Sequence, residues 1–273
     1  MKTKLEKAKS LFWLIAPLVT SSFLGVSPTL AATFASSQGG VNLKNFSQAP
    51  KEIFTVTDTE ALAIANDNSK VEVEADAQAV FISPSPAMTQ ASNISESKAA
   101  GEGSNYLGIA QSVAEVTGYD FLVDQGEEFA FDFDSALVLK TSVDDAQFES
   151  AIALGLIDLK LYDATDSNNL KVIDYFTLSG NLVTPGEDDF IIPKYSENFT
   201  VEEQTQTIVG KNREYVDARL KGFYSRYFDN LTYLTLVEET TNKVTVKTPE
   251  ASNLLGLLYF GFIFVRYGLK NKV

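Results

Sequence analysis

Two aspartates one residue apart, Asp132 and Asp134 in the run FDFD, come closest in this chain to a pairing that could do chemistry. Two carboxylates facing a groove can share acid and nucleophile roles in glycoside cleavage. The same spacing also puts both on the wet side of one β-strand, with Phe131 and Phe133 turned the other way. Oxygen-rich clusters occur in two loops, Asp163, Asp166 and Asn168 in one and Glu187-Asp188-Asp189 in the other. Calcium is the cation such loops attract, but the glycine and distal glutamate of an EF-hand are missing, and ordinary solvated turns have the same composition. Tyr224, Tyr227, Phe228 and Tyr233 could stack on a sugar, although aromatics at strand spacing usually pack across strands or in the core. Arg213, Arg219 and Arg226 form no evident anion site. Asn93, Asn198 and Asn230 each begin a glycosylation-type triplet, a pattern short enough to arise by chance.

The chain has 273 residues with no histidine and no cysteine. That removes imidazole bases, Ser-His-Asp triads, thiol nucleophiles and thiolate metal sites. We therefore expect no catalytic residue, no cofactor and no dedicated metal site, with calcium as the single cation to consider. The 36 Asp and Glu outnumber the 22 Lys and Arg, for a formal net charge of −14. The two ends, residues 1–32 and 248–273, hold seven Lys and Arg against two Glu, so residues 33–247 are more acidic still. That field repels a phosphate backbone, so nucleic acid is not expected as a partner.

The elements that must carry these residues read as strands. Phe129, Phe131 and Phe133 alternate with Ala130, Asp132 and Asp134, the pattern of a half-buried strand. Ala110, Ser112, Ala114 and Val116 alternate before Gly118, read as a turn. Further strands are expected in 151–163, 170–184, 216–228, 231–239 and 242–246, with Asp229-Asn230 as a hairpin turn. Thr200 and Glu203 resemble a helix-capping box, but the Thr, Val and Ile that follow favour a strand equally. Residues 33–104 are rich in Ala, Ser, Asn, Gln and Thr and read as low-complexity, with one strand in 71–82 and a flexible stretch after it. Seven or eight strands without βα alternation predict an all-β, antiparallel, jelly-roll-like β-sandwich over 105–247. Phe133, Leu137, Leu139, Leu156, Leu159, Leu161, Phe176 and Leu178 are its expected core.

Both ends carry sorting signals. Lys2, Lys4, Lys7 and Lys9 precede the apolar run Leu11–Val19, and small residues at Ala31-Ala32 complete a secretory signal peptide over 1–32. At the other end Leu254–Val265 contains no charge, and Arg266, Lys270 and Lys272 follow it. Counted from Ala251 to Val265, about fifteen residues give roughly 22 Å of helix at 1.5 Å each. Such a helix crosses roughly 30 Å of hydrocarbon only if its basic tip reaches the interface. The run has neither strand alternation nor a polar helix face, so a transmembrane helix with a cytoplasmic basic tip is expected.

Residues 248–273 resemble PEP-CTERM sorting tails on Thr248, Pro249, Glu250, the glycines 256 and 261, and Arg266. Ala251 stands where that family has its second proline. The resemblance implies an exosortase-type transpeptidase as partner, transient membrane insertion and subsequent cleavage. The stretches NYLGIAQSVAEVTGYDFLV, EEFAFDFDSALVLKTSV and SRYFDNLTYLTLVEETTNKVTV also resemble exported cyanobacterial proteins with such tails, and this brings no active site. The expectation is an exported, non-enzymatic cell-surface or extracellular-matrix protein. The alternatives are an extracellular polysaccharide-binding module assisted by calcium, and a carboxylate-dependent hydrolase.

Overall fold

The computed structural model describes residues 33–248, except 67, 209 and 211. The signal peptide and the apolar tail, with Pro249, Glu250 and Arg266, lie outside the described residues. No helix among the described residues is long and apolar enough to cross a membrane.

Twelve strands follow one another: β1 (Thr33–Lys44), β2 (Glu52–Ala65), β3 (Lys70–Ile82), β4 (Gln90–Glu102), β5 (Tyr106–Val123), β6 (Glu127–Val143), β7 (Ser150–Asp163), β8 (Lys171–Thr184), β9 (Phe190–Tyr195), β10 (Phe199–Ile208), β11 (Arg213–Phe228) and β12 (Thr232–Lys247). They form two six-stranded sheets, ordered β10-β11-β6-β1-β4-β3 and β2-β5-β12-β7-β8-β9. All paired neighbours are antiparallel. The all-β, two-sheet expectation holds, and the sheets do not close into a barrel. Because the strands alternate in direction, the loops gather at two ends. The described chain enters at Thr33 and leaves at Thr248 at one of them, the exit end. The loops 45–51, 124–126, 164–170 and 229–231 lie at the other, the far end.

Residues 33–104 are not low in structure. They build β1–β4, and β1 pairs with both β4 and β6 in the middle of its sheet. The stretch read as flexible contains β4, which alternates buried and half-buried residues along its length. Its buried positions are Ala91, Asn93, Ser95, Ser97 and Ala99, small or polar side chains that hydropathy does not register. Gly118 is not a turn either. β5 runs on to Val123, and a Cβ at Gly118 would come within 2.7 Å of the Phe121 ring. Leu156 is only half-buried: inward positions on β7 alternate through Ile157, Leu159 and Leu161, and an even-numbered residue faces out. The capping-box stretch is strand β10.

The interior changes in grain from one end to the other. Toward the far end it is aromatic. Phe131 stacks on Tyr224 at 5.1 Å and on Phe46 at 5.3 Å, and Phe133 meets Phe176 at 4.9 Å. In the middle, small side chains let the sheets approach closely. A Cβ at Gly155 would come within 2.3 Å of Leu137 Cδ1, and one at Gly39 within 2.8 Å of Thr240 Cγ2.

Candidate functional site

The residues singled out by type do not converge. Phe129, Phe131 and Phe133 point inward as the alternation predicts, leaving Asp132 and Asp134 on the outer face of β6. There Asp132 accepts from Asn45 Nδ2 at 2.6 Å, and Asp134 lies in register between Asn42 and Lys221. This is an open sheet face, and the pair does not line a groove. The loop acids are occupied by their own backbone: Asp163 accepts from the Thr165 N–H at 2.9 Å and Asp166 from the Asn168 N–H at 3.0 Å. Asp189 caps the Val183 N–H at 2.9 Å, at the opposite end of the sandwich. Among the described residues no group of three potential ligands could hold a metal ion. The four-residue aromatic platform also separates. Tyr224 and Phe228 are buried, while Tyr227 on β11 and Tyr233 on β12 are exposed on different sheets. Asn93 is fully buried.

Thr248 is the one sorting-motif residue within the described chain, and it is buried. Its N–H donates to the Tyr106 carbonyl at 3.2 Å, and its Oγ1 accepts from the Tyr106 N–H at 3.2 Å. The Tyr106 hydroxyl donates to Thr33 Oγ1. Tyr106, itself fully buried, thus ties the first and last described residues together at the exit end. Burial pushes its hydroxyl up to about 12. Exposed large apolar side chains crowd the other half, among them Phe54, Leu122, Tyr175, Tyr227, Leu231 and Tyr233.

Three buried polar groups have no counterpart in the sequence analysis. Near the far end, Asp174 faces inward and accepts from Tyr224 Oη at 2.8 Å, Arg226 Nη1 at 2.8 Å and Asn198 Nδ2 at 3.0 Å. Burial opposes its charge, but the bonds from Ser196, Arg226, Asn198 and Tyr224 outweigh burial and hold the carboxyl below its usual range. Near the exit end, Glu214 meets Thr141 and Thr184, and burial followed by the Asp189 carboxylate pushes its pKa up. Between them runs a polar seam joining the two sheets. Ser97 Oγ is 3.0 Å from Ser112 Oγ and donates to the Asn242 carbonyl at 3.1 Å, and Asn242 Nδ2 donates to the Ser95 carbonyl at 3.0 Å. Glu238 lies in this seam with no exposed surface, and burial pushes its pKa well up. The strand periods around these residues were readable, but nothing in sequence alone says that a serine or glutamate occupies the inward phase.

No family model matches the chain, and no curated protein matches it. Among solved structures, the translocator domain of the autotransporter NalP from Neisseria meningitidis aligns at 13% identity over 81% of this chain and 97% of that one. The TM-score is 0.19, a value that carries no inference about fold or function.

Proposed function

We propose that the chain is an exported, non-enzymatic, jelly-roll-like β-sandwich that acts as a structural or interaction module at the cell surface or in the extracellular matrix. Its C-terminal tail is inserted in the membrane and processed by an exosortase-type enzyme. The observation that carries this reading is Tyr106 bonding both Thr33 and Thr248. A tether continuing from Thr248 leaves the far end, with its exposed aromatic and aliphatic side chains, turned away from the attachment. Exposed apolar side chains of this kind mark contact surfaces when they gather.

The test is the mass of the mature chain from envelope and medium fractions. Loss of both the first 32 residues and the segment after about Pro249 supports the reading. A full-length chain in the cytoplasm overturns it, and a retained C-terminus in the envelope reduces it to a plain membrane anchor. The exposed Tyr227 and Tyr233 favour extracellular polysaccharide as a second reading. Binding on a glycan array, with and without a calcium chelator, supports it, and binding to no glycan removes it.

A further inference from the structure

Three tyrosines fall on one line across the outer face of the sheet β2-β5-β12-β7-β8-β9. Tyr175 on β8 is opposite Lys160 on β7, and Tyr162, two residues further along β7, is opposite Thr235 on β12. Tyr233 lies two residues from Thr235, toward the far end. Each tyrosine is therefore the diagonal neighbour of the next, at about 7–8 Å per step. The three share a face, because Leu161, Asp174 and Leu234 beside them take the buried, inward positions. Tyr175 and Tyr233 are 42% and 38% exposed, Tyr162 is half-buried, and Thr235 between them is covered. β7 and β12 each have a strand on both sides, so they offer no free edge where a peptide could add as a further strand. What the face offers is a row of aromatic rings, each ending in a hydroxyl.

Two residues nearer the exit end lies a row of acids on the same face. Glu115 on β5 is opposite Glu239 on β12, and Glu239 is opposite Asp158 on β7. Like charges directly opposite one another destabilise a sheet. Lys160 and Lys194 lie at the Asp158 end of this row, Lys160 in an ion pair with Asp158. No cation neighbours Glu115 across the strands: Val56 and Glu239 flank it in register, and the diagonal positions hold Phe54, Asp58, Val237 and Thr241.

The geometry points to a binding face for an extended polysaccharide that carries free amino groups. Its sugar rings stack on Tyr175, Tyr162 and Tyr233, and its ammonium groups lie against Glu239 and Glu115. This rests on the polysaccharide reading above and names the class of polysaccharide. A tyrosine offers an apolar ring and a polar edge, which suits the apolar and hydroxylated sides of a sugar. The diagonal reaches roughly 15 Å from Tyr175 to Tyr233, long enough for a chain and too long for a single sugar. The acids choose among chains. A sulfated or uronic-acid chain would bring anions against Glu115 and Glu239, and a neutral chain would leave the carboxylates facing each other. Protonated amines relieve that repulsion, and this charge complementarity selects the partner. A second copy of the chain is a poor occupant for the same reason, since it would lay one acid row against another. Tyr227, although exposed, is on the other sheet and takes no part.

The experiment is calorimetric titration of the purified full chain with short linear oligomers of glucosamine, N-acetylglucosamine and glucose, all of one linkage type. We expect the glucosamine oligomer to bind about tenfold tighter than the other two, with the preference lost in high salt. Tyr162→Ala should weaken binding about tenfold. Glu115→Gln combined with Glu239→Gln should bring glucosamine down to the level of N-acetylglucosamine. That variant should melt no lower than the parent, since two facing like charges are gone. Tyr227→Ala should change nothing. Equal affinity for the three oligomers overturns the amine assignment and leaves the polysaccharide reading standing. Binding to none of them overturns the inference, and the reading falls with it only if the glycan array is blank as well. Glucosamine binding that survives Tyr162→Ala combined with Tyr233→Ala is attraction to net charge alone and overturns the site. A dimer of the ligand-free chain that Tyr162→Ala dissociates assigns the face to a second copy, which also overturns it.

Discussion

Arg226 Nη1 on β11 lies 2.8 Å from Asp174 Oδ2 on β8, a charged contact made from one sheet to the other. Asp174 is 2% exposed in its side chain and Arg226 34%. Removing the buried partner leaves its donors unmatched in the interior, so Asp174→Ala should destabilise by about 3–5 kcal/mol. Arg226→Ala should cost less, about 1–2 kcal/mol, because solvent already screens part of the guanidinium. Urea denaturation of both variants measures the difference, and equal losses would contradict the assignment of Asp174 as the buried member.

The same carboxyl sets a pH dependence. Its folded-state pKa is lowered, so its stabilising contribution is complete above the ordinary aspartate range and is lost as pH falls through the lowered value. Glu214 has the opposite sign. Its folded-state pKa is raised, so the folded form holds a proton that the unfolded chain has already released. That contribution is complete below the ordinary glutamate range and is lost as pH rises through the raised value. Glu214→Gln keeps an acceptor for Thr141 and Thr184 without the titration. Thermal melts across mildly acidic pH should show a shallower fall of stability with rising pH in this variant than in the parent.

Gly101 and Tyr106 make a steric test of the exit end. A Cβ at Gly101 would come within 2.1 Å of the Tyr106 ring, so Gly101→Ala must displace the ring that bonds Thr33. Overpacking of this kind costs about 1–3 kcal/mol. Tyr106→Phe keeps the ring and loses only the hydroxyl bond, for about 1 kcal/mol. Amide exchange at β1 should accelerate in both, and more in Gly101→Ala.

Phe131 touches Phe46, Phe129, Phe199 and Tyr224, so it links the aromatic far half of the interior. Phe131→Ala should cost about 3–5 kcal/mol. Calorimetry should show one lowered transition, since the aromatic half and the seam lie between the same two sheets.

Strands with apolar inward residues were legible. The Phe129–Phe131–Phe133 alternation appears in the fold where it was expected, because there hydropathy and inward phase coincide. A loop also falls at Asp229-Asn230, but it is not a hairpin: β11 and β12 lie in different sheets, and the loop crosses from one to the other. Hydropathy and inward phase diverge in β4 and in the middle of β12, where Asn93, Ser95, Ser97, Glu238, Thr240 and Asn242 take the inward phase. In β4 the alternation is intact, but polarity hides it, so that strand reads as loop-like composition, while β3 was legible as the strand in 71–82. Leu156 shows the converse: it is apolar and in a strand, yet on the outward phase. The candidate acids show a related limit: spacing gives Asp132 and Asp134 a shared outer face, as the alternation predicts, but spacing alone says nothing of a facing groove. The polar seam joins Asn93, Ser95 and Ser97 to Glu238, Thr240 and Asn242, more than a hundred residues away, and no local pattern joins them.

Thr248 continues directly from β12, which is flanked on both sides by β5 and β7 along almost its whole length. A pull on the chain at that point runs along the strand axis. It loads two hydrogen-bond ladders in shear, all rungs at once, and cannot peel them open singly as it could at a sheet edge. The sandwich is therefore built to bear tension applied at Thr248.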